Sequence, residues 1–244
     1  MMRPLRARIS RLLGATVLAW RRRFFLPALR PAKENVGRMQ FLLDLRRHGI
    51  MDAAVLRAME EVPREKFVMA DHVRSAYADQ ALPILCGQTI SQPYVVAFMT
   101  EQLALGPDHH VLEVGTGSGY QAAILSRLAA KVTSIERYRT LAEQARARLA
   151  ALGYDNVEVI AGDGMAGAPD RAPFDRIIVT AAADEIPSAL VDQLVVGGIM
   201  ILPLGPRRGD QVLVRLTRTE TGVERNELIG VRFVPLVPGQ AREL

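Results

Sequence analysis

The side chains best placed for chemistry in this 244-residue chain gather around three glycines. Gly115, Gly117 and Gly119 alternate with Thr116 and Ser118, after the apolar run 111–114 and before a helical segment, 121–130. A strand, a glycine turn and a helix in that order let a ligand come close to bare backbone amides. The G-x-G-x-G spacing is one residue shorter than the G-x-G-x-x-G dinucleotide fingerprint, and a purely steric strand ending is the structural alternative. Glu136 ends the next apolar run, 21 residues after Gly115. At that distance an acid reaches the end of the neighbouring strand, where its two oxygens can accept both hydroxyls of a ribose. An ion pair with Arg137 or Arg139 is the competing use. Asp163 lies between Gly162 and Gly164, after the run 157–161. It can accept from an exocyclic amine while the glycines admit an aromatic ring; an ordinary Asx turn competes.

Glu113 separates the candidate ligands. A carboxylate inside an apolar strand is costly unless it finds hydrogen-bond partners. Beside the glycine turn it can hold that turn or face a positive ligand. A pyrophosphate is disfavoured by such a charge, whereas a sulfonium with an amino-acid tail is not. With G-x-G-x-G, this tips the choice from NAD to S-adenosylmethionine. Thr180 and Ala181, at the end of the run 174–181, are placed to line the same crevice. Ser91 stands two residues before Pro93 and just ahead of a helical run, 94–105, so it is an N-cap candidate. Capping leaves a catalytic role open. No His/Asp pair at suitable positions accompanies Ser91, which argues against a serine nucleophile.

These residues need a scaffold that brings strand ends together. Runs at 111–115, 132–136, 157–161, 174–181 and 199–203 alternate with helical patterns at 120–130, 140–152 and 187–195. Late strands are expected at 211–217 and 231–236. The alternation predicts an α/β fold with a doubly wound, mostly parallel sheet, and an N-terminal helical segment ahead of it. Within that segment Gly49 stops one helix and Asp52 caps a second that runs to Glu61, with Val55, Leu56 and Met59 on one face.

Charge divides the chain differently. The formal net charge is +5, yet residues 1–33 hold nine cations and no acid, leaving 22 cations against 26 acids in the remainder. The high pI therefore belongs to the extension 1–36, and a nucleic-acid-binding body is not expected. The uncharged run 12–20 is far shorter than the roughly 20 residues of a membrane span. Its basic flanks leave targeting or membrane-surface association open, beside a plain extension. The single cysteine, Cys86, excludes an internal disulfide framework and suggests a reducing, cytoplasmic compartment. The four histidines show no zinc-ligand spacing, so no metal site is expected.

The segment Glu113-Val114-Gly115-Thr116-Gly117-Ser118-Gly119-Tyr120-Gln121 resembles the first motif of class I S-adenosylmethionine-dependent methyltransferases. More narrowly, the chain is similar to the protein-L-isoaspartate O-methyltransferase family over residues 37–238. Val62-Pro63-Arg64-Glu65-Lys66-Phe67-Val68, Gly87-Gln88-Thr89-Ile90-Ser91-Gln92-Pro93, Gly162-Asp163-Gly164 and Val179-Thr180-Ala181-Ala182 carry the likeness, with Pro173-Phe174-Asp175 and the terminal Val231-Arg232-Phe233-Val234-Pro235-Leu236. Cys86 and Met165 depart from the family's usual residues.

The resemblance implies a Rossmann-like methyltransferase domain over 37–244, divided into a helical and substrate-loop part (37–106) and a cofactor-binding core (107–244). It implies methyl transfer from S-adenosylmethionine to the α-carboxylate of isoaspartyl residues in damaged proteins and peptides, leaving S-adenosylhomocysteine. It places Gly115, Gly117 and Gly119 at the methionine portion with Glu113, Thr116 and Ser118 in the same motif, Glu136 at the ribose, and Asp163 with Gly164 at the adenine. Ser91 matches the family's active-site serine, and Thr89 and Ile90 its substrate loop. Other acceptors, an inactive methyltransferase-like adaptor and an NAD oxidoreductase are the competing functions. A monomer is expected.

Overall fold

Gly49 and Asp52 divide the first helical region. The computed structural model describes residues 32–207 and 209–241, so the expectations attached to the basic segment before Ala32 lie outside it. Helix α1 (Ala32–Arg47) stops ahead of Gly49, whose φ of 98° is left-handed. Asp52 then starts α2 (Ala53–Glu61) by accepting from the amides of Ala54 (2.7 Å) and Val55 (3.1 Å). Such a cap stabilises a helix by about 1 kcal/mol. Val55, Leu56 and Met59 form its buried face. Short 3₁₀ turns, Arg64–Lys66 and Ala70–Ser75, lead to a small hairpin of β1 (Leu82–Pro83) and β2 (Thr89–Ile90), and then to α3 (Pro93–Gln102).

From here strands and helices alternate: β3 (His110–Val114), α4 (Tyr120–Ser126), β4 (Lys131–Glu136), α5 (Arg139–Ala151), β5 (Val157–Ala161), β6 (Phe174–Val179), α6 (Ser188–Asp192), β7 (Leu194–Leu204), β8 (Gln211–Arg218) and β9 (Val223–Val231). The sheet order is β5-β4-β3-β6-β7-β8-β9. The first five strands are parallel and the last two pairings antiparallel. The chain leaves β3 toward one edge and returns to β6 on its other side. That reversal opens a crevice at the carboxyl ends of β3 and β6, where ligands bind in such sheets.

Strand alternation distributes the core. Val111, Ile178, Ile199 and Ile201 pack on one face with Met99 of α3 and Leu125 of α4. Leu112, Ile177, Val179 and Met200 pack on the other with Leu190 of α6. Each such buried side chain contributes about 1.5–3 kcal/mol by leaving water. Arg176, at an apolar strand's start, is accommodated by helix-end chemistry: its Nε donates to Leu103 O (2.6 Å) and Nη2 to Ala104 O (3.2 Å), just past α3.

The expected last strand and the helix before β7 differ. The last strand is Val223–Val231, not 231–236; its residues are mostly exposed, so it is held by backbone pairing with β8 and lacks the apolar signature of a buried strand. The segment after it instead crosses the strand ends: Ala182 N donates to Val234 O (2.8 Å) and Leu236 N to Ala182 O (2.7 Å). The helix expected over 187–195 ends at Asp192, because Leu194 already pairs with Phe174 in the sheet.

Candidate functional site

The three glycines of the turn all have left-handed backbones, with φ of 97°, 53° and 88° at Gly115, Gly117 and Gly119. A Cβ at Gly115 would collide with Thr180 Oγ1, and one at Gly119 would press on Leu149 of α5 at 3.3 Å. Gly115 therefore admits β6's end residue, while Gly119 admits a helix and is not among the lining residues of the three compartments below. Gly164 is similarly closed in, since a Cβ there would meet Val114 Cγ1.

Glu136 closes the turn from β4. Its Oε2 accepts from Gly117 N (2.8 Å) and its Oε1 from Tyr138 N (3.0 Å), and it is nearly buried. Backbone amides thus hold the carboxylate. Glu113 lies beneath the turn rather than on a cavity wall. Ser134 Oγ donates to Glu113 Oε2 and stands 2.5 Å from Thr116 Oγ1, so a hydroxyl relay links the acid to the turn. Complete burial pushes the Glu113 carboxyl up to about 8, with the nearby Glu136 charge adding to the effect. Asp163 Oδ1 accepts from Met165 N (2.9 Å), the Asx turn weighed above, which leaves Oδ2 outside that turn.

A three-part cleft occupies the crevice. The largest compartment, about 400 Å³, is bordered by Thr89, Ser91, Val95, Asp210 and Arg232. A narrower slot runs past Gly115, Gly117, Glu136, Gly164 and Ala181, under the crossing residues Val234 to Val237. A third, inner space is walled by Ile90, Ser91, Thr116, Ser118 and Tyr120. Thr89 and Thr180 border all three.

Ser91 is not the N-cap of α3. The residue before the helix is Gln92, whose side chain does not cap it. The first free amide, Tyr94 N, is met instead by Asp79 Oδ1 (2.8 Å), while Gln92 Nε2 donates to Asp79 Oδ2 (2.8 Å). Ser91 is left half-buried between the outer and inner compartments, and Oγ has no hydrogen-bond partner among the described residues. Its carbonyl accepts from Arg64 Nη2 (2.7 Å).

The structure brings Thr89, Ile90, Ser91, the turn, Glu136, Gly164, Thr180 and Ala181 to one cleft. It adds Gln88, Arg137, Tyr138 and the crossing segment to the slot wall. Adjacency to Glu136 was the available signal for Arg137 and Tyr138; the crossing segment was marked only by the family likeness at 231–236, without a place in the site. Among the described residues no three His, Cys, Asp or Glu side chains gather as a metal-holding group.

The model of the protein-L-isoaspartate(D-aspartate) O-methyltransferase family matches residues 37–241. The chain belongs to this family. It is 60% identical over 207 residues to a protein-L-isoaspartate O-methyltransferase of Rhodopseudomonas palustris (strain BisB18), covering 85% of this chain and 96% of that one. The corresponding protein of Parvibaculum lavamentivorans is 59% identical over 208 residues, covering 84% and 94%. Among solved structures, a protein-L-isoaspartate O-methyltransferase superposes with a TM-score of 0.75 at 31% identity; 81% of this chain spans 65% of that longer one. A candidate family member from Plasmodium falciparum, solved with S-adenosyl-L-homocysteine, gives a TM-score of 0.72 at 28% identity, covering 81% and 97%. The family match starts at residue 37, just after the basic extension, which lies outside what the family model covers.

Proposed function

We propose that this chain moves a methyl group from S-adenosylmethionine to the α-carboxylate of L-isoaspartyl residues in damaged proteins and peptides. The observation that carries the reading is the meeting of two spaces beside Ser91, which borders the outer one. The outer compartment is large enough for a side chain with its flanking backbone, and it meets the glycine-turn slot at Thr89 and Thr180. Ser91 Oγ stands there uncommitted.

The slot suits the cofactor. Left-handed glycines leave the backbone bare, and Glu136, held by two amides, suits a ribose diol better than a pyrophosphate. Gly115 and Gly117, with Thr116 and Ser118, would hold the methionine end; Asp163 Oδ2 and Gly164 would face the adenine. Glu113 supports the turn from below through Ser134. When bound, S-adenosylmethionine supplies a sulfonium methyl group and leaves as S-adenosylhomocysteine.

The chain's own residues have a limited task. The acceptor carboxylate is already ionised at neutral pH, so no general base is required. Transfer needs in-line approach and exclusion of water. Ser91 Oγ donates to one carboxylate oxygen and aims the other at the methyl position. Thr180 and Ala181 wall the approach, and Thr89 and Ile90 carry the substrate loop. The methyl ester then collapses: the following backbone nitrogen attacks the ester carbonyl, loses its proton and expels methanol, giving a succinimide without further catalysis.

The same reading has the chain act as a monomer in a reducing, cytoplasmic compartment, which the lone Cys86 supports. Among the described residues no helix is long and apolar enough to cross a membrane. Labelled methyl transfer from S-adenosylmethionine to an isoaspartyl peptide, with the aspartyl peptide as control, tests the proposal. Label should enter the isoaspartyl peptide alone. Equal labelling of both would overturn the acceptor assignment, and cofactor binding without labelling would favour an adaptor.

A further inference from the structure

The segment that carries Ser91 is anchored by two residues outside the cleft wall. Arg64 is fully buried, with Nε donating to Ala76 O (2.7 Å) and Nη2 to Ser91 O (2.7 Å). Its guanidinium carbon lies 4.7 Å from the centre of the Tyr120 ring. Nη1 is buried with no hydrogen-bond partner, and no carboxylate forms an ion pair with Arg64 among the described residues. Burying a cation this way is costly, and an apolar side chain would fill the volume with less penalty. Stability alone does not account for it. What a guanidinium adds is a rigid planar fork that holds two acceptors at a fixed separation. Here the acceptors belong to the connector before the hairpin and to the Ser91 loop, while the stacked ring opens the helix after the glycine turn.

Asp79 supplies the second anchor from an exposed position. Its two oxygens take the Tyr94 amide and the Gln92 side chain, so it secures the chain immediately after Ser91. Between the anchors, Ser91 Oγ has no hydrogen-bond partner among the described residues. Its place is set by its backbone.

We propose that Arg64 and Asp79 are positioning residues for methyl transfer, fixing the backbone of residues 91–94 so that the Ser91 hydroxyl meets the acceptor carboxylate. This rests on the role read for Ser91 above. Neither residue borders the slot that would hold the cofactor, so the two should act on turnover and leave cofactor affinity alone. Misplacing a positioning group by about 1 Å can lower a rate on the order of 100-fold, which makes backbone anchors of this kind visible in kcat.

The test uses the full chain with Asp79→Ala, Asp79→Asn, Arg64→Lys, Ser91→Ala and the Ser91→Ala/Asp79→Ala double variant. Asp79 is exposed, so its variants should fold, with Asp79→Ala lowering Tm by only about 2–4 °C through the lost helix-start contact. Asp79→Ala should lower kcat for an isoaspartyl peptide about tenfold, with unchanged Kd for S-adenosylhomocysteine. Asp79→Asn, which keeps an acceptor for the Tyr94 amide, should restore most of that loss. Arg64→Lys, which keeps the charge and loses the fork, should lower kcat similarly. In the Ser91→Ala background Asp79→Ala should change kcat by less than about twofold, because the two act on one contact. Normal kcat for Asp79→Ala, or an equal loss with and without the Ser91 hydroxyl, overturns the positioning role. If Ser91→Ala alone is fully active, the reading of Ser91 itself falls and the positioning role with it. If Ser91→Ala is slow and Asp79→Ala is not, only the positioning role falls.

Discussion

Thr180 Oγ1 lies 2.7 Å from the carbonyl oxygen of Gly115 and occupies the space that a Cβ on that glycine would need. The hydroxyl also stands 3.0 Å from Val114 O, so its single hydrogen is directed at the last residues of β3. One contact thus joins the ends of the two strands that flank the sheet's reversal. It also explains why Gly115 cannot carry a side chain. Substitution with alanine combines a left-handed backbone, which costs roughly 1–2 kcal/mol in an L-residue, with a direct clash. Gly115→Ala is expected to weaken S-adenosylhomocysteine binding by more than tenfold, and Thr180→Gly in the same chain should recover part of the loss. Calorimetric titration of the wild type and both variants checks this; full affinity in Gly115→Ala would contradict it.

Ser91→Ala should separate turnover from cofactor binding. If Ser91 Oγ is the proposed donor to the acceptor carboxylate, its removal should lower kcat about 10- to 100-fold. The Kd for S-adenosylhomocysteine should stay within about twofold, since the slot's acid and glycines are untouched. Steady-state kinetics with an isoaspartyl peptide, alongside titration, reads both quantities.

Glu136→Ala removes the acceptor for two backbone amides and, in the proposed reading, for the ribose. Cofactor affinity should fall by at least about tenfold, while Glu136→Gln, which retains one acceptor oxygen, should lose less. A ribose-modified analogue lacking both hydroxyls distinguishes the two contributions. If that analogue binds the wild-type chain and Glu136→Ala with the same relative loss as the parent compound, the carboxylate does not address the diol.

Glu113 imposes a pH dependence on stability. In the folded chain its buried carboxyl holds a proton up to about pH 8, against an ordinary value of 4.5 when unfolded. Between those limits the folded state binds more protons, so this group's stabilisation is complete below the lower limit and is lost as pH rises through the upper one. Glu113→Gln keeps an acceptor for Ser134 and removes the titration. Urea unfolding at pH 5 and pH 8.5 should show the wild type losing stability on the order of a few kcal/mol relative to this variant. Parallel pH profiles would refute a protonated Glu113.

Much of the frame was legible before any coordinates. Val157–Ala161 coincides with its expected strand, Asp52 caps the helix it was expected to cap, and Gly49 follows the end of its helix with a left-handed backbone. Strand β9 was not legible. Edge pairing needs no apolar residues, and the Glu, Arg and Asn side chains of 224–227 give no alternation to detect. The crossing segment was misassigned for the opposite reason, because Val231, Phe233 and Val234 look like strand residues wherever they lie.

The sequence by itself determined the alternation of strands and helices, the left-handed turn at Gly115 to Gly119 and the placing of an acid at the end of β4. Those properties follow from backbone dihedral limits and side-chain periodicity, which act over a few residues. Tertiary structure alone decided which polar groups are occupied and which remain free. Asp79 takes the helix amide that Ser91 could have capped, from 15 residues upstream, and Ser134 engages Glu113 from the neighbouring strand. A donor pairs with whichever acceptor folding brings within about 3 Å, and separation along the chain does not reveal which that will be.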